Sequence, residues 1–252
     1  MNQVLELMFN HRSIRKYSDQ SISDSDVSLI IKAAQSAATS SFLQAYTIID
    51  VRDVALRSKL KPLCGDQDYV EDAPLFFVFC ADLHRIKTVC EMDAKASDQL
   101  SQSTYEPGWT ESFIIATVDA ALAAQNALLA AESMGMGGVY IGGIRNNAQT
   151  VSDLLGLPEE VYQVFGMCIG YPAQDPAVKE RLPQPLIHHI DRYGELDMNE
   201  LKAYDARIST YYHHRSGGKN ADTWTKSVSK KFAGEKREHM KAFLEKRGFN
   251  KR

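Results

Sequence analysis

The chain has 252 residues, of which 44% are hydrophobic and 24% are charged, and its formal net charge at pH 7 is -3. A chain of this length can bury a sizeable core without disulfides or metals. The slightly acidic balance excludes a protein whose overall field attracts nucleic acid.

Targeting features and cysteine spacing point to the same compartment. The first residues, MNQVLELMFNHRS, lack the basic start, the long apolar run and the cleavage site of a signal peptide. The richest apolar run, PLFFVFCADL, is shorter than the ~20 residues of a membrane span. The cysteines form no CxxC pair, and no nearby histidines complete a zinc pattern with them; they are Cys64, Cys80, Cys90 and Cys168. We expect a cytoplasmic protein with no membrane segment, no metal and no disulfide.

The first part of the chain predicts alternating helices and strands. A small amphipathic helix precedes His11, and SDSDVSLIIKAAQSAA predicts a helix capped by Ser23 or Ser25. AYTIIDV is rich in β-branched residues and predicts a strand. DVALRSKLKPLCG predicts a short helix stopped by Pro62 and Gly65. APLFFVFCAD is apolar on both faces, which is typical of a central strand.

The second part begins with an irregular region and a long apolar helix. Residues 84–108 predict a loop or mobile helix. TESFIIATVDAALAAQNALLAAESMG is apolar almost all round, which is typical of a buried helix, and Gly135 closes it. GGVYIGG and YQVFGMCIGYP predict two more strands. After Pro172 the chain predicts a loop and then, from Asn199, polar helices with too few apolar positions for a core of their own. The pattern indicates an α+β fold.

Familiar nucleotide and catalytic motifs are missing from the sequence. It contains no GxGxxG between a strand and a helix and no GxxxxGK[ST] phosphate loop. It also contains no GxSxG or HExxH motif. A cofactor that carries its own chemistry would explain this shortage, because the protein then only binds and orients it.

Cations gather in two segments. HRSIRKY holds His11, Arg12, Ser13 and Arg15, which suits an anion-binding site or a solvated turn. In DPAVKERLP, Lys179 and Arg181 lie two apart in an extended loop, where alternate side chains point the same way. Two converging cations suit a phosphate, although a solvated loop would look the same.

Three further segments offer polar groups or bare backbone. Ser40 and Ser41 end a predicted helix, where serines are usually structural. Gln67 and Tyr69 lie in a predicted turn, and an amide suits the edge of a heterocycle or a surface loop. The glycines of YIGG would let a flat ring approach the backbone, or would form a simple turn.

Taken in chain order, HRSIRKY, SSFLQ, DQDYV, AAQNALLAAESMGMGGVYIGGIRN, VFGMCIGYP and KERLP resemble the motifs of the flavin-dependent nitroreductase superfamily. The likeness is strongest to its NADPH-specific branch of oxygen-insensitive nitroreductases and NADPH:FMN oxidoreductases. It implies a nitroreductase-like fold with a central, mostly antiparallel sheet flanked by helices. It also implies a homodimer with FMN at two sites in the subunit interface, where the long helix lies. Residues 1–195 would form the FMN-binding core, and residues 196–252 a helical extension that contributes to NADPH binding.

The resemblance also implies the site residues. His11 and Ser13 would lie near the FMN phosphate, Arg12 beside them, and Arg15 at the pyrimidine edge, where it tunes the reduced flavin. Arg215, with Lys219 as second candidate, would contact the 2′-phosphate of NADPH. No residue is assigned a catalytic role of its own. The other implied FMN contacts are Ser40, Ser41, Gln67, Tyr69, Tyr140, Ile141, Gly142, Gly143, Lys179 and Arg181.

The implied activity is a ping-pong oxidoreduction. NADPH reduces FMN by hydride transfer, and a nitroaromatic, a quinone or a related small molecule then takes two electrons. Reduction of free flavin for a partner enzyme is an alternative that the sequence leaves open. A flavin-loaded sensor with little turnover is another. An RNA-binding adaptor using the basic C-terminal residues is disfavoured, because their interspersed acids are typical of a solvated helix face.

Overall fold

The computed structural model describes residues 2–96, 105–234 and 237–252. Within these residues the strands are β1 Tyr46–Asp50, β2 Leu75–Asp82, β3 Gly137–Ile141 and β4 Val161–Gly170. Short 3₁₀ turns span Ser40–Phe42, Gly142–Arg145 and Gln184–Leu186. The helices are α1 Gln3–Phe9, α2 Asp24–Gln35, α3 Val54–Leu63, α4 Tyr69–Asp72, α5 His84–Ala96, α6 Thr110–Ser133, α7 Ala148–Leu154, α8 Met198–Arg215, α9 Trp224–Phe232 and α10 Met240–Lys246.

The chain forms two compact units. Unit 1 comprises Met1–Pro176 and His239–Arg252, and unit 2 comprises Ala177–Glu238. Unit 2 is therefore inserted in the sequence between two parts of unit 1. The division at residue 195 that the sequence suggests stays a prediction.

The sheet of unit 1 has the strand order β1-β2-β4-β3, and every neighbouring pair is antiparallel. This arrangement confirms the predicted α+β class and the central antiparallel sheet. All residues of β2 are buried, because β1 and β4 pair with its two edges and helices cover both faces. The prediction of β2 as a central strand is confirmed.

Two apolar layers lie on the two faces of the sheet. Side chains alternate along β2, so Phe77 and Phe79 enter the layer beneath α2 and α6, together with Phe249 near the end of the chain. Phe76 and Val78 enter the opposite layer, beneath α3 and α7. One strand thus supplies large side chains to both layers.

Helix α6 lies in the middle of the first layer. Its small residues Ala116, Ala120, Ala123 and Ala127 are fully buried, which lets the helix approach the sheet closely. Among the described residues, α6 is the one helix long and apolar enough to span a membrane by length and composition. Its buried face packs on the sheet and on α2, as in the core helix of a globular protein.

One side of α6 is exposed in the part of the chain that the structure describes. Ile114, Val118 and Leu122 follow each other at four-residue spacing and are 47%, 48% and 41% exposed. Residues at this spacing lie on one face of a helix. The expected burial of α6 therefore does not extend to this stripe in the described residues of one chain.

Several local predictions also need correction. Pro62 lies in the last turn of α3 and does not end the helix before that turn. Ser40 and Ser41 do not end α2, which stops at Gln35; they form a separate 3₁₀ turn. The predicted loop or mobile helix over 84–108 begins as α5, and its residues 97–104 lie outside the described residues. Helix α7 was not predicted.

Candidate functional site

The basic segment HRSIRKY lies against one end of the sheet. The Ile14 N–H donates to the Gly138 carbonyl of β3 at 3.0 Å, and the Tyr17 hydroxyl donates to the Ile14 carbonyl at 2.7 Å. The Ile14 side chain is 3% exposed and packs over Gly137, where a Cβ would come within 2.4 Å of it. The core therefore fixes the backbone that carries the cations.

A cleft of about 820 Å³ opens beside this segment. Arg15, Lys16 and Tyr17 line one wall, and Gln67 and Tyr69 at α4 line the other. Two motifs that are about 50 residues apart in sequence thus face one cavity, whose size is in the range of small-molecule sites, roughly 300–1,000 Å³.

Polar contacts cross this region in a connected series. The Tyr69 hydroxyl donates to Gln67 Oε1 at 2.6 Å, and Gln67 Nε2 donates to the Cys64 carbonyl at 3.0 Å. Arg15 lines the same cleft as Tyr69, and its charge acts on the Tyr69 hydroxyl. Burial raises the pKa of Tyr69, and the nearby Arg15 charge opposes that rise, so the phenol keeps its proton at neutral pH.

One of the two glycines of YIGG, Gly143, lies against the same carbonyl. A Cβ on Gly143 would lie 2.1 Å from the Cys64 oxygen, so only glycine fits there. A Cβ on Gly142 would meet nothing closer than Arg145 Nη2 at 3.6 Å, which leaves its backbone accessible. Burial raises the pKa of the Cys64 thiol to about 12, so the thiol is unreactive at neutral pH. Cys64 contributes to this region through its backbone carbonyl, which accepts from Gln67.

Tyr140 and Ile141 precede these glycines on β3 and point to opposite faces of the sheet. The Tyr140 ring packs edge-on against Phe165 and faces the α6 layer. The Ile141 side chain is fully buried in the other layer. A ligand at the end of β3 would therefore meet the backbone of Ile141 and not its side chain.

His11 and Arg12 have partners of their own. His11 Nδ1 lies 2.6 Å from Glu132 Oε1 near the end of α6. Arg12 Nη2 lies 2.7 Å from Asp175 Oδ1, and its Nε is buried without a hydrogen-bond partner. Ser13, which follows Arg12 in the sequence, is half-buried. The assignment of these residues to a phosphate stays a prediction.

Ser40 and Ser41 lie at the other end of β2 from α4. Their turn leads into β1, whose Tyr46 pairs with Ala81 near the end of β2, whereas α4 precedes the start of β2. The buried Asp119 of α6 accepts from the N–H groups of Ser40 and Ala45, both at 3.0 Å. Within one chain the serines are therefore not part of the Arg15 cleft.

The serine loop is conformationally strained. Ser41, Phe42 and Gln44 have φ values of 47°, 58° and 53°, in the left-handed region. Such residues cost about 1–3 kcal/mol each and often mark functional segments. Phe42 at the tip is 82% exposed.

In unit 2, Lys179 and its neighbour Glu180 contact a single helix. Lys179 Nζ donates to the Tyr212 hydroxyl and lies 4.5 Å from the centroid of its ring. Glu180 Oε1 accepts from Arg207 Nε at 2.7 Å, and its carbonyl accepts from the Tyr204 hydroxyl at 3.0 Å. Adjacent side chains thus both reach α8, which simple alternation does not predict, while Arg181 is exposed.

Arg215 is the last residue of α8 and is exposed. Its Nη1 donates to the Tyr211 hydroxyl one turn earlier, at 3.4 Å. The loop that follows is closed by Ser216 Oγ, which accepts from the Asn220 N–H at 2.7 Å. Lys219 in that loop is exposed as well. Both cations are accessible to an anion from solvent.

Sequence reasoning missed three residues that position the predicted ones. Asp119 holds the serine loop, Glu132 pairs with His11, and Tyr212 contacts Lys179. For Asp119 a signal existed, because a lone carboxylate in an Ala-rich helix has to find a partner when it is buried. Glu132 and Tyr212 lie among other polar residues and carry no comparable signal.

Family models match most of the chain. The model described as "Nitroreductase family" matches residues 8–171, and that described as "Nitroreductase family, C-terminal domain" matches residues 179–252. The first match contains Arg15, Gln67, Tyr69 and both glycines, and the second contains Lys179, Arg181 and Arg215.

Individual relatives are similar over their full length. The NADPH-flavin oxidoreductase of Vibrio harveyi is 42% identical over 252 residues, which cover 100% of both chains. The oxygen-insensitive NADPH nitroreductase of Salmonella typhimurium is 42% identical over 249 residues, 99% of each. The solved structure of NfrA1 from B. megaterium has a TM-score of 0.92 at 47% identity and covers 99% of this chain and 100% of that one.

Proposed function

The chain belongs to the nitroreductase family, and from this premise we propose that it is an FMN-dependent NADPH oxidoreductase. Bound FMN would supply the redox chemistry, accepting hydride from NADPH and passing two electrons to a nitroaromatic, a quinone or a related acceptor in a ping-pong cycle. The observation that carries the proposal is the meeting of separate motifs around one cleft: Arg15 and Gln67 line it, and Gln67 and Gly143 both lie against the Cys64 carbonyl.

The chemistry of the cleft fits a flavin. Arg15 and Gln67 offer N–H donors, and the pyrimidine edge of an isoalloxazine presents carbonyl oxygens that accept them. The backbone of Gly142 is open to a flat ring, because no side chain of its own and no close neighbour covers it. The cleft also excludes a catalytic thiol, since Cys64 is buried and protonated.

In this proposal Arg15 stabilises negative charge at the pyrimidine edge. A cation beside the ring edge lowers the energy of the negative charge that develops there during reduction. Gln67 orients the ring edge, Tyr140, Ile141, Gly142 and Gly143 provide the backbone beneath it, and Lys179 and Arg181 hold the phosphate with His11, Arg12 and Ser13. Arg215 holds the 2′-phosphate of NADPH, with Lys219 as second candidate.

The protein would act as a homodimer with the site at the subunit interface. The exposed stripe Ile114, Val118 and Leu122 on α6 is an apolar surface that a second copy would cover. Helix α1 has no buried residue and exposes Val4 and Phe9 by 55% and 62%. The distance of Ser40 and Ser41 from the cleft supports this arrangement, because the serines of one subunit would complete the cleft of the other. Light scattering should then give twice the 28.2 kDa of the chain.

The cytoplasm is the proposed location. All four cysteines are free, and three of them are buried. Free thiols are typical of proteins from reducing compartments.

The test is a visible absorption spectrum of the purified protein, recorded before and after anaerobic addition of NADPH. We expect a flavin band that NADPH bleaches and a nitroaromatic restores, with a slower response to NADH. No flavin band after incubation with FMN would overturn the proposal. A band that NADPH leaves unchanged would indicate a flavin-loaded sensor instead.

Reduction of free flavin is the second candidate, because one relative is named as an NADPH-flavin oxidoreductase. The two activities share the NADPH half-reaction and differ in the acceptor. Steady-state rates with free FMN and with a nitroaromatic, at equal NADPH, separate them by the ratio of kcat/KM for the two acceptors.

A further inference from the structure

We infer that Asp119 of α6 is a positioning residue: it holds the serine loop, residues 40–45, in the conformation in which the loop completes the flavin site of the second subunit. This inference rests on the proposed function and its homodimer. The feature that carries it is a pair of hydrogen bonds by which one buried carboxylate joins the two ends of the loop.

Each oxygen of the Asp119 carboxylate has its own backbone partner. Oδ1 accepts from the Ser40 N–H and Oδ2 accepts from the Ala45 N–H, both at 3.0 Å. Asp119 is fully buried, and burial of a carboxylate costs free energy unless its oxygens are bonded. The two N–H groups of the loop supply those bonds, so the carboxylate and the loop stabilise each other.

The conformation of the loop requires such a restraint. Ser41, Phe42 and Gln44 have left-handed φ values, which residues other than glycine keep only where the surrounding structure imposes them. Phe42 at the tip is 82% exposed, so packing within the described residues contributes little to holding the tip. The bonds at the two ends of the loop are therefore what keeps it in this conformation.

Arg85, near the start of α5, holds the same segment through its carbonyl groups. Its Nη1 donates to the Tyr46 carbonyl at 3.2 Å and to the Gln44 carbonyl at 3.4 Å. Asp119 accepts from N–H groups of the loop, so the end of the loop is bonded on both its donor and its acceptor side. The Arg85 side chain is 53% exposed, which makes it replaceable without damage to the core.

The turn of α6 that holds the loop also carries the proposed subunit contact. Val118 and Leu122 belong to the exposed stripe that a second copy would cover, and Asp119 follows Val118 on the buried side of the helix. Residues of one turn have fixed relative positions in a helix. Docking of the stripe on a second copy would therefore carry the loop to a defined place on that copy, and Asp119 is the link between the two.

Loss of this link should lower the affinity for FMN. In Asp119→Asn the amide oxygen can still accept from one N–H, but the NH₂ group that replaces the second oxygen cannot accept from the other. The apparent Kd of a ligand rises as the fraction of protein in the binding conformation falls. We expect the Kd for FMN to rise about tenfold, as for the loss of one hydrogen bond to a charged group.

The first experiment measures the Kd for FMN by flavin fluorescence in wild type, Asp119→Asn and Thr117→Val. The matched control removes a hydroxyl from the same helix, two residues away. That hydroxyl lies 2.6 Å from the Tyr162 hydroxyl and donates to the Phe113 carbonyl at 2.7 Å. Thr117→Val should keep the wild-type Kd. A wild-type Kd in folded Asp119→Asn would overturn the inference.

The second experiment separates positioning in the second subunit from a general loss of stability. Asp119→Asn and Arg15→Ala chains with different affinity tags are co-expressed, and the mixed dimer is isolated by the two tags in succession. If the loop acts on the second subunit, one site of this dimer lacks both groups and the other lacks neither.

We therefore expect about half of the sites in the mixed dimer to bind FMN with the wild-type Kd, because a two-fold dimer has two equivalent sites. Both variant homodimers should bind FMN weakly. If the loop acts within its own subunit, each site of the mixed dimer lacks one group. Absence of any site with the wild-type Kd would thus overturn the inference and leave the FMN-dependent function intact.

A second variant keeps the test decisive if Asp119→Asn does not fold. Arg85→Gln then replaces it in both experiments, with an expected rise in Kd of about threefold. A wild-type Kd in Arg85→Gln would in that case overturn the inference. Failure of the wild type to bind FMN would overturn the proposed function instead. Differently tagged chains that do not co-purify would overturn the proposed homodimer and the inference with it.

Discussion

The cleft of unit 1 and the basic segment of unit 2 hold their polar side chains in different ways. In the cleft, Tyr69 donates to Gln67 and Gln67 donates to the Cys64 carbonyl next to the core, while Arg15 lines the same cleft. In unit 2, Lys179 and Glu180 reach only one face of one helix, and Arg181 and Arg215 are exposed. Fixed donors suit the edge of a ring, whose recognition depends on angles. Loosely held cations suit a phosphate, whose recognition depends mainly on charge.

The largest expected effect comes from the point where the cleft meets the core. Gly143→Ala would place a methyl group 2.1 Å from the Cys64 oxygen, so the backbone of α3 or of the turn has to shift. We expect a loss of about 3 kcal/mol in the free energy of unfolding, measured by urea denaturation, together with loss of FMN.

Gly142→Ala is the matched control, because its methyl group meets only the end of a flexible arginine at 3.6 Å. It should leave the free energy of unfolding unchanged and still weaken FMN binding, if the ring lies over this backbone. Equal unfolding free energies for the two variants would contradict the close contact at Cys64.

The next largest effect is expected for Arg15→Ala. Removal of a charged donor from the cleft should raise the Kd for FMN about 30-fold and slow hydride transfer, since hydrogen bonds to charged groups contribute about 1.5–3 kcal/mol. Flavin fluorescence and stopped-flow absorbance measure the two quantities. Lys16→Ala removes the neighbouring exposed cation and should change the Kd much less; an equal change would mean that only net charge matters in unit 1.

A smaller effect is expected for Arg215→Ala in unit 2. The variant should raise KM for NADPH about tenfold and leave KM for NADH unchanged, because only NADPH carries the 2′-phosphate. Steady-state kinetics with both donors provide the measurement. If both KM values rise equally, Arg215 does not contact that phosphate, and Lys219→Ala becomes the variant to measure.

The smallest effect is expected for Glu180→Gln. The Glu180–Arg207 pair is 47% and 44% exposed, and exposed pairs contribute at most about 1 kcal/mol. Removal of a carboxylate beside Lys179 and Arg181 should tighten FMN binding about twofold at low salt, and the gain should vanish at high salt because exposed charges are screened. A change in FMN binding that does not depend on salt would mean that the cations of unit 2 act as fixed donors, as those of the cleft do.

Much of the fold follows from local patterns, but the assembly of the site does not. The apolar run of β2 and the helical spacing in α2 and α6 are readable from neighbouring residues, and all three predictions are confirmed. Helix α7 has only seven residues of mixed polarity, too few for a periodic signal.

The contacts that place side chains span long stretches of sequence. Asp119 reaches Ser40 across 79 residues, and Glu132 reaches His11 across 121. Nothing in either short segment indicates its partner, because tertiary packing alone decides which residues meet. Motif resemblance indicates the site residues, whereas only the structure shows that Gln67 and Gly143 meet at the Cys64 carbonyl.

The insertion of unit 2 has a consequence for the order in which the protein is made. Phe249 is fully buried against Phe113 and Tyr162, with ring centroids 6.1 and 5.1 Å away. A ribosome releases these two partners first and supplies Phe249 only after all of unit 2 has been translated. The aromatic cluster of unit 1 therefore waits for the last part of the chain. Until then the nascent protein carries an open apolar surface, which is the kind of surface that chaperones bind.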